Sequence, residues 1–315
     1  MKKVLLGTTA LLLSAGVAAA EVAVSGDGRM GIVDDFGDDT DAGFSSRIRI
    51  AFSASGETDA GLSFGGSIRA DNAGGGEGGT AGNVFVEGTF GKISMGDVGS
   101  AADAANGDVS GVGYTNPGAY NEFVYLGNSE RPAARWDYVM GGLGLHISSD
   151  NPASDNEVTS VAVTYASGAL SVGLGIESAD YVAAADSDLV GFDVSGFDIE
   201  ADHTIGSVGY AFGDASVKVV YGTADIDGSA EADFTQMGAS LDYVIGATTL
   251  TIYTASYELE AGGSTVGELD ATGVGVSYDL GGGASLAAGY VTFDAEVEGV
   301  EEDGDAFDLG INMTF

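Results

Sequence analysis

The sequence predicts an all-β protein, a 16-stranded antiparallel transmembrane β-barrel, on three observations. Apolar and polar residues alternate with a period of two rather than 3.6 through most of the chain, which is the pattern of half-exposed strands. Tight glycine turns separate the alternating segments, and glycine supplies the positive backbone angle that short hairpin turns demand. The closing segment FDLGINMTF keeps the alternation to its last residue, with Phe307, Leu309, Ile311, Met313 and Phe315 on one face and Asp308, Gly310, Asn312 and Thr314 on the other. A soluble chain usually frays at its terminus, so an apolar face carried to the end implies a surface for it to meet.

At the N-terminus Lys2 and Lys3 precede an apolar run from Val4 to about Val17, closed by Ala18, Ala19 and Ala20. This is the pattern of a secretory signal peptide cleaved after Ala20, so residues 1–20 are expected to be the signal and 21–315 the barrel domain. Beyond residue 20 no run approaches the ~20 apolar residues of a membrane helix. An exported chain of this kind is soluble or a barrel, because only helices and closed barrels satisfy their backbone inside lipid.

Composition narrows the classes further. There is no cysteine, so neither a disulfide framework nor a thiolate site is available. Ten basic residues against 48 acidic ones, a formal charge of −38, exclude nucleic acid as a partner, since phosphate binding needs clustered Lys and Arg. A hydrophobic content of 44%, with 14 Phe and 13 Tyr, argues against disorder. Three prolines suit paired strands, where proline removes a ladder donor.

One hairpin unit recurs: VEGTFGKISMG, VTYASGALSVGLGI, VGYAFGDASVKVVYG, LDYVIGATTLTIY and VSYDLGGGASLAAGY. Between units lie carboxylate-rich stretches such as DDFGDDTDAG, ADIDGSAEAD, ELEAGGSTVGELD and AEVEGVEEDGD, which read as long acidic loops. Short turns at one end and long loops at the other are the asymmetry of an outer-membrane barrel. Strands counted by this rule begin near Glu21, Gly43, Ala60, Thr80, Gly91, Arg131, Gly142, Glu157, Ala169, Glu200, Asp214, Glu231, Ala247, Glu268, Ala284 and Asp305. The count is even, so the last strand can close on the first, and about sixteen to eighteen strands leave a water-filled lumen.

Within a strand, the apolar residues are expected toward lipid. On the second strand Phe44, Ile48, Ile50 and Phe52 share that face, and Ser45, Arg47, Arg49 and Ser53 the other. Tyr165, Tyr210, Tyr243 and Tyr278 fall near strand ends, where an interfacial aromatic girdle belongs. By the same alternation Arg29, Arg47, Arg49 and Arg69 point inward, and neighbouring strands about 4.8 Å apart would gather them into one basic patch. An arginine on the lipid side would cost about 2 to 4 kcal/mol at the midplane. Pairing with inner carboxylates such as Asp27 is compatible with that placement.

The connection GDVGSAADAANGDVSGVGYTNPGAYNEFVYLGNSE shows no strand alternation, and loops of this length are uncommon and usually functional or disordered. Its aromatic residues disfavour disorder. Folded into the lumen, it would narrow the channel and set Asp103, Asp108 and Glu122 opposite the arginines, with a transverse field between; an exposed loop is the alternative.

At EVAVSGDGRMGI, FGKISMGD, GDVSGVGYT, YDLGGGAS and FDLGINMTF the chain resembles the trimeric general-diffusion porins of purple non-sulfur and related alphaproteobacteria. That resemblance implies a homotrimer in the outer membrane of a Gram-negative bacterium, with an inward-folded third loop facing an arginine cluster. It implies Arg29, Arg47, Arg49 and Arg69 as the cationic side of a constriction, and Asp97, Asp103, Asp108 and Glu122 as the anionic side. The function it implies is a passive channel for small hydrophilic solutes and ions. Because acids far outnumber bases, a mild cation preference is expected.

Other chemistry is thin. His146 and His203 have no nucleophile arrangement beside them and read as wall residues, so no enzyme is expected. Asp34, Asp35, Asp38, Asp39 and Asp41 form an oxygen cluster able to take Ca²⁺, though without EF-hand spacing; a solvated acidic loop is the default, and no cofactor is required. Acidic loops can also bridge divalent ions to lipopolysaccharide phosphates. A competing reading is a secreted calcium-binding or surface-layer β-rich protein without channel activity.

Overall fold

The computed structural model describes residues 21–36, 42–71, 82–127, 131–154, 156–182, 188–189, 192–193, 198–228, 231–297 and 299–315; the expected signal peptide lies outside them. The strands run as β1 (Glu21–Asp35), β2 (Gly43–Glu57), β3 (Ser63–Asp71), β4 (Asn83–Gly88), β5 (Gly91–Gly96), β6 (Ala133–Met140), β7 (Leu143–Ser149), β8 (Glu157–Ser167) and β9 (Leu170–Val182). They continue as β10 (Asp188–Leu189), β11 (Phe192–Asp193), β12 (Asp198–Phe212), β13 (Ala215–Asp227), β14 (Ala232–Ile245), β15 (Thr248–Ala261), β16 (Ser264–Gly281), β17 (Ala284–Val297) and β18 (Val300–Thr314). Between β5 and β6 lie a short helix, α1 (Ala101–Asn106), and a 3-10 turn at Pro117–Ala119. β10 and β11 pair only with each other. The remaining sixteen strands close into one antiparallel barrel in chain order, with β9 beside β12 and β18 beside β1.

The closing seam is the predicted one. β1 and β18 pair from Asp27↔Thr314 to Asp35↔Ala306, and Gly31 lies opposite Gly310. Gly26 and Phe315 exchange backbone hydrogen bonds of 2.6 and 2.9 Å, so the chain is tied down to its last residue. Side chains alternate between faces because successive Cβ atoms in a strand point opposite ways. Phe44, Ile48 and Phe52 stand exposed on β2, with Arg47 and Arg49 between them on the other face.

Four two-residue turns, at Gly141, Gly168, Gly213 and Gly246, place glycine first with φ of 64°, 62°, 63° and 63°, the signature of type II′ hairpins. Tyr165, Tyr210, Tyr243 and Tyr278 each precede a turn glycine by three residues and are about half exposed, forming an aromatic row at the turn end.

Two of the expected acidic loops are instead strand. β15 passes to β16 through Gly262 and Gly263 alone, and β17 ends at Val297 with β18 starting at Val300. Glu258, Glu260, Glu268, Asp294, Glu296, Glu301, Glu302 and Asp303 therefore sit in paired strands. Strands that rise above the lipid meet water on both faces, so acidity does not break them. β4 to β7 are short, 6 to 8 residues, against 13 to 18 in β12 to β18, which leaves the wall uneven in height. The main apolar cluster, including Ala102, Val112, Phe123, Ile205, Val220 and Tyr253, lies between the segment linking β5 to β6 and the wall.

Candidate functional site

The segment 97–127 is seated on the strand face opposite the exposed apolar one. Ser100 caps α1, its Oγ accepting from the Asp103 amide at 3.1 Å. The first helical amides, Ala101 and Ala102, donate to Ser148 Oγ of β7 and Ser160 Oγ of β8 at 2.8 and 2.9 Å, which satisfies donors that a helix start leaves open. Farther on, Ser110 binds Ser240 and Asp242 of β14. On the return path Tyr257 Oη of β15 donates to the Tyr120 and Glu122 carbonyls at 2.7 and 2.8 Å, and Tyr120 packs against Phe36 and Phe293.

Wall glycines make room for this path. A Cβ on Gly175 would come 2.6 Å from the Ala102 methyl, one on Gly275 2.8 Å from Val112 Cβ, and one on Gly289 2.7 Å from Gly113 Cα. Gly238 likewise receives the Phe123 ring, and the facing pair Gly31 and Gly310 receives the Tyr114 ring. The segment thus lines the wall from β7 round to β18 and reaches β1 with its tip.

The four predicted arginines lie on β1, β2 and β3, beside the tip. Register places Arg29 opposite Arg47, Asp27 opposite Arg49, and Arg49 opposite Asp71. Arg47 pairs with Asp27 at 3.2 Å, while Asp71 takes both Arg49 at 2.6 Å and Arg69 at 3.3 Å. The patch therefore exists, and it is braced by carboxylates of the same wall. Arg29 does something different. Its Nη1 donates to the Tyr114 and Thr115 carbonyls, both at 3.3 Å, while Asp308 Oδ2 accepts from the Tyr114 amide, the Thr115 amide and the Thr115 hydroxyl at 2.8, 2.6 and 2.7 Å. The backbone N–H and C=O groups of two successive tip residues, Tyr114 and Thr115, are thus held from opposite sides.

The predicted acids divide. Asp103 is on α1, which packs on β7, β8, β9 and β12, across the ring from β1 to β3. Burial, and next the Asp108 charge, raise the Asp103 carboxyl above its ordinary pKa. Asp108 braces the segment by accepting from the Phe123 amide at 2.9 Å, and Glu122 accepts from Asn116 at 3.2 Å while remaining exposed. Asp97 pairs with Arg131 at 3.3 Å and lies at the foot of the segment. Of the candidate calcium ligands Asp34 is in β1; Asp38, Asp39 and Asp41 lie outside the described residues, among which no group of three His, Cys, Asp or Glu side chains is placed to hold a metal ion.

Residues that the sequence reading passed over also matter. Lys218 Nζ reaches the Asn106 and Asp108 carbonyls, and Arg135 binds Asp137 and the Gly99 carbonyl. The alternation that located the β1–β3 arginines would have found both. His146 binds Asp137 at 2.7 Å and His203 binds Glu177 at 2.9 Å, so both histidines are wall residues as expected. Asp308, Glu177 and Gln236 had no signal beyond an inward position.

Comparison with known proteins follows the same lines. A family model described as Gram-negative porin matches residues 7–314. The chain is 34% identical to a porin of Rhodobacter capsulatus over 317 residues, covering 94% of this chain and 100% of that one. It is similar to a porin structure refined at 1.8 Å resolution, with a TM-score of 0.75, 30% identity and coverage of 94% and 100%. It shares its fold with a loop-deleted OmpT, an outer membrane protein of Vibrio cholerae, at a TM-score of 0.79, 20% identity and coverage of 94% and 100%.

Proposed function

The chain belongs to the Gram-negative porin family, and from that membership we propose a channel whose narrowest passage runs between the arginine wall and segment 97–127. It is an outer-membrane diffusion porin. The observation that carries the proposal is the division of the inner wall: guanidinium groups on β1 to β3, and a carboxylate-bearing segment seated on the strands across the ring. Small hydrophilic solutes and ions would pass between the two, in a field directed across their path, while larger ones would be refused. Arg47, Arg49 and Arg69 supply the cationic side. Arg29 holds the segment tip as well, and Asp103 and Glu122 contribute more to the anionic side than Asp97 or Asp108, whose carboxylates are engaged elsewhere.

Replacing Arg47 and Arg49 together with glutamine is expected to raise the cation-to-anion permeability ratio severalfold, read as a reversal potential across planar bilayers in a salt gradient. An unchanged ratio would remove these arginines from the constriction. Because the Asp103 carboxyl takes up its proton above the ordinary range, the cation contribution should fall first as the solution is made mildly acidic.

A homotrimer completes this reading. The outer faces of β1 to β5 form an apolar concavity that includes Val22, Phe52, Phe64, Ile68, Val84 and Met95, beside the shortest strands, where a neighbouring copy would be received. The acidic stretch 34–41 is proposed to take Ca²⁺ and, through divalent ions, lipopolysaccharide phosphates. Size measurement in mild detergent should show trimers that chelation weakens; monomers at every calcium level would sink both statements.

A further inference from the structure

We propose that Glu177, His203 and Gln236 form a proton-sensitive latch that positions the descending leg of segment 97–127. The three side chains come from β9, β12 and β14 and are all buried, with Gln236 fully so and His203 at 2% exposure. Gln236 Oε1 accepts from the Val124 amide at 2.8 Å, and its Nε2 donates to the Val124 carbonyl at 2.9 Å. The N–H and C=O of one residue of the segment are thereby matched, donor to acceptor and acceptor to donor. Glu177 Oε2 accepts from the Leu126 amide at 2.9 Å and meets His203 Nδ1 at 2.9 Å. Gln236 Nε2 lies 3.0 Å from His203 Nε2.

The donors and acceptors fix the state of the imidazole. A side-chain amide can be turned end for end, but turning Gln236 would face its NH₂ to the Val124 N–H and its carbonyl to the Val124 C=O. Val124 thus sets the amide, and the amide presents an N–H to His203 Nε2. That nitrogen must then be the acceptor, and Nδ1 carries the proton and donates it to Glu177. The latch is complete only with neutral His203. A second proton on Nε2 would point at the Gln236 NH₂, and the amide could receive it only by turning and releasing Val124.

The surroundings give a charged imidazole little other relief. Among the described residues the titratable groups facing it are Glu177 from β9 and Tyr125 from the segment, whose ring is 6.2 Å away edge-on; Asp103 acts on Glu177 and, with Asp108, on Tyr125. On the remaining side β13 contributes Gly222, where a Cβ would come 3.0 Å from His203 Nε2. Glu177 favours the charged ring, while burial and the Gln236 amide oppose it. The two stand on opposite sides of the imidazole, so acidification trades the Val124 anchor for a tighter Glu177–His203 pair.

This inference rests on the reading that the segment narrows the channel, and its test separates the two. Protection of the Val124 and Leu126 amides against hydrogen exchange reports the latch directly, and single-channel conductance reports the constriction. In the full-length porin, corrected for intrinsic rates, Val124 protection should fall by about tenfold, the loss of roughly one net hydrogen bond, between about pH 8 and about pH 5, the window in which imidazoles change charge. Leu126 should keep its protection, because the turning of Gln236 leaves its acceptor, Glu177 Oε2, in place.

His203→Asn can still donate to Glu177 but takes up no proton, and its Val124 protection should be independent of pH. Glu177→Gln serves if that variant assembles poorly; with the ring's charged form no longer favoured, it should need more acid to release Val124. Equal pH dependence in wild type and His203→Asn, or none in the wild type, would overturn the latch. Acid release of Val124 with unchanged conductance would support the latch and sink the constriction reading instead.

Discussion

Replacing Asp308 with alanine is expected to free the tip of segment 97–127 and to raise both the conductance and the current noise of single channels. One carboxylate oxygen receives two buried amides and a hydroxyl from Tyr114 and Thr115. Hydrogen bonds to an ionised group are each worth roughly 1.5 to 3 kcal/mol, and leaving their buried donors unmatched adds a penalty. The tip would therefore lose on the order of 3 kcal/mol or more of anchoring. The same change strands Arg29, which holds the carbonyls of those two residues and feels the Asp308 charge. Asp308→Asn keeps one carbonyl acceptor and should fall between wild type and alanine. Planar-bilayer recordings indistinguishable among the three would show that the tip does not border the conducting path.

Deleting Phe315 should reduce the yield of assembled barrels by about tenfold or more, while barrels that do form conduct normally. The residue exchanges two backbone hydrogen bonds with Gly26 at the seam, and its ring fills the space that the missing side chains of Gly26 and Gly28 leave open. Losing both backbone bonds and the ring's apolar burial removes roughly 3 kcal/mol from the one pairing that must form between the ends of the chain. Refolding into detergent, scored by the heat-dependent shift of the folded band on gels, measures the yield. Normal yield would show that closure does not depend on the terminal residue.

The barrel was legible in the sequence because lipid and lumen impose opposite demands on successive residues. Alternation in β2 placed Arg47 and Arg49 correctly, and the glycine turns marked the hairpins. The reading erred where a second medium intervened. Glu260 and Asp303 read as loop by their charge although the strands there rise into water, and Ile205 and Val220 break the polar inner pattern because the segment covers them. Of the site, the arginine patch was readable from local pattern alone. The split between Asp103, on the helix seated on β7 to β9 and β12, and Asp97, which pairs with Arg131, was not, since it depends on how the segment is routed through space. The clamp by Asp308 was hidden for a similar reason: 193 residues separate it from Thr115.

The seat of Tyr114 has a consequence for the order of events during biogenesis. Its ring lies over Gly31 and Gly310, which face each other across the junction of the first and last strands. The two halves of that seat come together only when the sheet closes. The tyrosine cannot take its full seat until the newly made chain has joined its two ends, so this contact should set last. A nascent barrel would pass through a stage that is complete in outline with that seat still empty, and the docking of one tyrosine would record that closure has occurred.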